Sequence, residues 1–209
     1  MEETLTLTPE QLFFLGTLMD AEHINYDYIA ALGEIQRNYS RSYRKCLDDL
    51  TRLGLLRQRL SGEVSLRPIP KKLLEPLFFG EKEWVFEIFT LGKEETRQIL
   101  RFHQQEDSVT RVQAENNRLI LSQSSPEELE QLATELAGST EHPAPAHCIQ
   151  KGSVTRVITA KQAVMGIGST ATVLFTQFGG LYTTDETGTV VAVPASQAKH
   201  LLLSPLKGE

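Results

Sequence analysis

Apolar and polar positions alternate with a strand period in several places along this chain, and each such stretch ends in a helical stripe. The clearest stretch runs from Trp84 to Leu136. Within it, Thr110–Ser122 places two β-forming runs either side of Asn116-Asn117, a pair that tolerates the positive φ of a tight hairpin turn. Ser125-Pro126-Glu127-Glu128 then combines a capping serine, a proline at the first helical position and a glutamate three residues after the cap. Leu129, Leu132, Ala133 and Leu136 follow at helical spacing. The end of the chain repeats this order. Leu181–Val193 reads as a hairpin around Thr187-Gly188, Pro194 follows, and Ala198, Leu201 and Leu202 form a stripe. Hairpin, proline and amphipathic helix thus occur twice, and internal similarity of this kind predicts two related sheet-plus-helix halves.

The N-terminal part has a different rhythm. Thr8-Pro9-Glu10-Gln11 is a capping box and opens a helix over about 9–19, with Leu12, Leu15 and Met19 on its core side. A second helix is expected from Tyr26 to about Gln36. A third is expected from Ser40 to Gly54, with Tyr43, Cys46, Leu47, Leu50 and Leu53 on one face and Arg41, Arg44, Lys45, Asp48, Asp49 and Arg52 on the other. A small hairpin around Ser61-Gly62 follows, giving the layout of a winged helix. A short helix is expected over 71–78. Strands are expected at 84–91, 95–103, 108–114, 118–123 and 170–176, with 95–100 equally compatible with a helix, and a helix at 159–166 and a linker over 137–145 are expected as well. The fold class is therefore α+β: two quasi-repeated halves of antiparallel sheet plus helices, with an N-terminal winged-helix-like segment. The halves are set at 1–140 and 145–209, as two domains or as one continuous domain.

Composition narrows the function. The 209 residues are 40% hydrophobic, enough for a sizeable core, and no apolar run approaches the roughly 20 residues of a membrane helix. Met1-Glu2-Glu3 lacks the positive start of a signal peptide, and Cys46 and Cys148 make neither a disulfide framework nor a zinc spacing. These features point to the cytoplasm and to buried or inert thiols. The net charge of −6 is unevenly spread. Residues 1–35 hold seven acids and no Lys or Arg, whereas residues 36–59 hold seven Lys or Arg against Asp48 and Asp49. The basic segment either meets the acidic one within the fold or faces an acidic partner.

Catalytic chemistry finds no support. The glycines of Gly166-Ile-Gly168 lack dinucleotide spacing and the lysine of a phosphate loop. His142, His147 and Cys148 lie in or beside a proline-containing linker without a second ligand cluster. Asp185-Glu186-Thr187-Gly188 reads as a turn, so no enzyme, cofactor or metal site is expected. A winged-helix DNA-binding regulator with a C-terminal sensor half is the alternative. Against it, Asp48 and Asp49 interrupt the basic face at helical pairing distance from Arg44, Lys45 and Arg52, and no nucleic-acid partner is expected.

The order of elements resembles the EspG-type chaperones of type VII (ESX) secretion systems. The resemblance rests on Leu7-Thr8-Pro9-Glu10-Gln11-Leu12, on Leu47–Leu53 with Gly54-Leu55-Leu56 and Gly62-Glu63-Val64, and on the strands from Trp84 to Leu121 followed by Pro126–Leu136. It also includes Gly180-Leu181-Tyr182 and Gly188–Ala195 with the closing helix. It implies two quasi-repeated α+β halves and a cytosolic, non-enzymatic chaperone or adaptor. Such a protein binds secreted helical effectors at the tip of a helical hairpin and keeps them soluble. The second half has no counterpart to the first three helices. Since the family binds through loops of its sheet region, the polar connection His103, Gln104, Gln105, Glu106 and Asp107 is the expected partner-binding site. Its glutamines can pair with a partner, and its acids favour a basic one.

Overall fold

The computed structural model describes residues 4–29, 39–92, 94–149, 154–164, 167–176, 179–185 and 187–203. The fold is α+β, and the chain forms two compact units that are discontinuous in sequence. Unit 1 comprises residues 1–80 and 103–123, and unit 2 comprises 81–102 and 124–209. The linker expected to part the chain at 137–145 lies wholly within unit 2.

Unit 1 holds β1 (Thr4–Leu7), α1 (Pro9–Leu18), α2 (Tyr26–Ile29), α3 (Tyr39–Arg52), the hairpin of β2 (Leu56–Gln58) and β3 (Val64–Leu66), and α4 (Pro68–Phe79). It also holds His103–Gln105 of strand β5 (Thr96–Gln105), β6 (Ser108–Glu115) and nearly all of β7 (Arg118–Ser124). The winged-helix order is present. The α1 capping box forms as expected: the Thr8 hydroxyl accepts from the Gln11 N–H, and the Gln11 side chain accepts from the Thr8 N–H. Strand β1 is an element the sequence reading did not include. It pairs antiparallel with β7, Leu5 opposite Leu121 and Leu7 opposite Leu119. This places Leu5 and Leu7 in a core with Leu12, Leu15, Leu50, Leu56, Leu74 and Val112. Each buried leucine contributes about 1.5–3 kcal/mol. The hairpin turn holds Asn116 and Asn117 at φ 48° and 58°, as their side chains allow.

Unit 2 holds β4 (Lys82–Thr90), Thr96–Phe102 of β5, α5 (Pro126–Ala137), β8 (Val154–Val164), β9 (Ile167–Thr176), β10 (Leu181–Thr184), β11 (Val190–Val193) and α6 (Ala195–Leu203). Its strand order is β5-β4-β8-β9-β10-β11. The core face carries Trp84, Phe86, Ile88, Ile158, Ala160, Val173 and Leu181, and α5 and α6 contribute Leu129, Ala133, Leu136, Ala198 and Leu202. At the end of α6, the Trp84 indole donates to the Leu203 carbonyl at 3.0 Å.

The structure corrects several expectations. Residues 159–164 are strand, not helix. Ala160-Lys161-Gln162-Ala163 has helix-forming composition, but β8 is bonded to β4 on one side and β9 on the other. Ladder pairing on both edges overrides local preference. Helix α4 begins at Pro68 rather than Lys71, because prolines in the first turn lack only N–H groups that have no helical acceptor. Leu53 lies beyond the end of α3 and is 60% exposed rather than part of the core face. Gly54 turns the chain there at φ 72°. Cys46 is buried as expected, whereas Cys148 is exposed. The remainder of the second helix, to Gln36, and Gly166 lie outside the described residues.

Candidate functional site

The expected partner-binding stretch, 103–107, is the end of the β5–β6 hairpin in unit 1. His103, Gln104 and Gln105 are in β5, and only Glu106 and Asp107 form the turn. The five residues therefore do not act as one loop. His103 points into the unit 1 interior at 6% exposure, where its Nε2 lies 2.6 Å from the Tyr28 hydroxyl. The two rings are tilted at 58° with centroids 5.8 Å apart. Gln104 donates through Nε2 to the Glu106 carbonyl at 2.7 Å, and Glu106 takes a left-handed φ of 52°. This local bond stiffens a turn whose exposed side chains are Glu106 and Asp107. Behind it, Thr110 donates its buried hydroxyl to the Leu73 carbonyl at 2.8 Å, fixing β6 against α4. What the hairpin exposes is thus an acidic tip with two half-buried glutamines beside it.

A second surface of unit 1 carries the opposite charge. Residues 39–72 contain nine Lys or Arg against three Asp or Glu. Asp49 pairs with Arg52, Glu63 with Arg59 at 2.8 Å, and Glu75 with Lys71 at 3.3 Å. Arg44 and Lys45 do not form the pairs with Asp48 and Asp49 that helical spacing offers them. Thr6, Leu7, Thr8, Gln11, Asp49, Arg52, Leu53 and Arg118 line an open cleft of about 390 Å³ beside the end of α3. The sequence carried half of this signal, the basic helix face. It gave no hint that Arg118, far along the chain, would join Arg52.

The fold then meets a known one. Over 99% of this chain and 98% of the other, it matches the Mycobacterium tuberculosis type VII secretion system chaperone EspG5, solved in complex with the PE25–PPE41 dimer, at a TM-score of 0.60 and 9% identity. The fold is EspG-like. No family model matches the chain, and no curated protein matches it in sequence. The match runs essentially end to end on both chains, so the winged-helix-like segment and the closing hairpin–helix are both part of the shared fold.

Of the remaining residues singled out for chemistry, Asp185 holds a turn. The Asp185 carboxylate accepts from the Thr187 N–H, the Thr187 hydroxyl and the Thr189 N–H, closing the β10–β11 turn. The Thr187 hydroxyl, then the Thr189 N–H, hold this carboxyl below the usual carboxylate range. His147 and Cys148 lie in a single 3-10 turn, Ala146–Cys148, and His142 is exposed in the segment before it. Among the described residues, no three His, Cys, Asp or Glu side chains are grouped as a metal ligand set, and no helix is long and apolar enough to cross a membrane.

Proposed function

We propose that this protein is a chaperone or adaptor of a type VII secretion system, binding helical secreted proteins in the cytoplasm. The observation that carries the reading is the end-to-end match to EspG5, a chaperone solved with a PE25–PPE41 dimer. A fold shared over 99% of the chain supports this reading at the level of the fold. The recurring hairpin–proline–helix order of 110–136 and 181–203 fits a duplicated design. In this reading the hairpin end at 103–107, through Glu106 and Asp107 with Gln104 and Gln105 behind them, contacts a basic part of the partner.

The test is co-expression with the helical proteins encoded beside its gene. A partner that is soluble only when co-expressed, and that elutes with this protein as one species, is the expected result. If every neighbouring helical protein is equally soluble alone and elutes separately, the chaperone reading fails.

A further inference from the structure

We propose that the cleft at the end of α3 is a docking site for an acidic, leucine-bearing segment of the partner protein. The inference rests on the chaperone reading for the identity of that partner. Its chemistry rests on the cleft. Arg52 and Arg118 approach the cleft from two separate elements, α3 and β7. Asp49 pairs with Arg52. A guanidinium has five N–H donors in a planar fork, so one carboxylate neighbour orients it and leaves donors for another. Arg118 is exposed and has no acidic partner among the described residues. Two arginines facing one space make a clamp for a carboxylate.

Leu53 gives the clamp an apolar wall. It is held out at 60% exposure by a helix that has ended and a glycine that turns the chain away, with Leu7 at the floor of the same cleft. An exposed leucine beside paired arginines suits an anchor side chain flanked by acid. The surrounding field favours the same occupant. Arg41, Arg44, Lys45, Arg57, Arg67 and Lys72 are exposed and lack acidic partners among the described residues, in a chain whose net charge is −6. Such a local field speeds encounter with an acidic segment.

The experiment uses the full chain and a short fluorescein-labelled peptide with leucine and glutamate at helical spacing, read by fluorescence anisotropy. Its lysine counterpart, a random-sequence DNA duplex and phosphatidylserine vesicles are the other probes. The glutamate peptide should bind and the lysine peptide should not. Arg52→Gln with Arg118→Gln should weaken binding about tenfold, as should Leu53→Ser. Circular dichroism and melting confirm that the variants are folded. Equal binding of both peptides, or variants that bind like the parent, would overturn the proposal. So would duplex or vesicle binding that these substitutions abolish while the peptide is unaffected. The two readings fail separately. A neighbouring-gene partner that co-purifies undiminished with the Arg52/Arg118 variant sinks the cleft and leaves the chaperone. A peptide that binds as described while no such partner exists sinks the chaperone and leaves the cleft.

Discussion

Tyr28 and His103 meet in the interior of unit 1, hydroxyl to Nε2 at 2.6 Å, across 75 residues of sequence. Both side chains are almost fully buried. A buried polar atom that loses its partner keeps its desolvation cost, so the contact fixes α2 against the end of β5. Removing only the hydroxyl, by Tyr28→Phe, should destabilise the protein by about 1–3 kcal/mol. Urea unfolding measures this, and a change within error would show the pair to be energetically idle. Tyr28→Phe with His103→Leu should lose less than the sum of the two single changes.

Gly80 has an ordinary negative φ of −64°, so its need for glycine is one of space. A Cβ there would lie 2.2 Å from the Pro76 carbonyl oxygen and 2.9 Å from that of Gln104. Both obstacles are backbone and cannot rotate away. Gly80→Ala should therefore cost about 1–3 kcal/mol and lower the melting temperature. An unchanged melting curve would mean that the close approach does not persist in solution.

At the hairpin tip, Glu106 already occupies the left-handed region, which glycine enters more readily. Replacing Glu106 with Gly and Asp107 with Ser should leave stability within about 0.5 kcal/mol. If the tip touches the partner, the same variant should retain less of it in a pull-down. Full retention would remove the tip from the binding surface.

The Asp185 carboxyl is depressed, so the stability it adds to its turn is present above the unfolded Asp value and lost as pH falls through the folded one. Carbon-13 NMR should give it a midpoint below the ordinary Asp value of about 3.9. Thr187→Val removes the first cause of the shift and should move the midpoint up. A midpoint indifferent to that change would assign the shift elsewhere.

On nucleic acid, the protein should show no site-specific duplex binding. Asp48 and Asp49 stand among the cations of α3, and the chain carries a net charge of −6, which opposes phosphate binding even with Arg44 and Lys45 unpaired among the described residues. Nanomolar binding of a promoter fragment, falling steeply with salt, would favour the regulator alternative.

The sequence by itself determined the elements whose causes are local. Thr8 with Gln11 and Ser125 with Pro126 start helices through side chains within one turn, and Asn116-Asn117 closes a hairpin through its own backbone freedom. It also determined the recurrence of hairpin, proline and helix, and with it the fold class. Only the tertiary structure decided the rest, because those causes lie far along the chain. Ala160–Ala163 became strand through ladders to β4 and β9, and Thr4–Leu7 became strand by pairing with β7. His103, one member of a polar run, became interior through Tyr28, and Leu53 left the core face because its helix ended one residue earlier. Arg118 reached the cleft of Arg52 only through the pairing of β7 with β1, a contact between distant strands that no local pattern records.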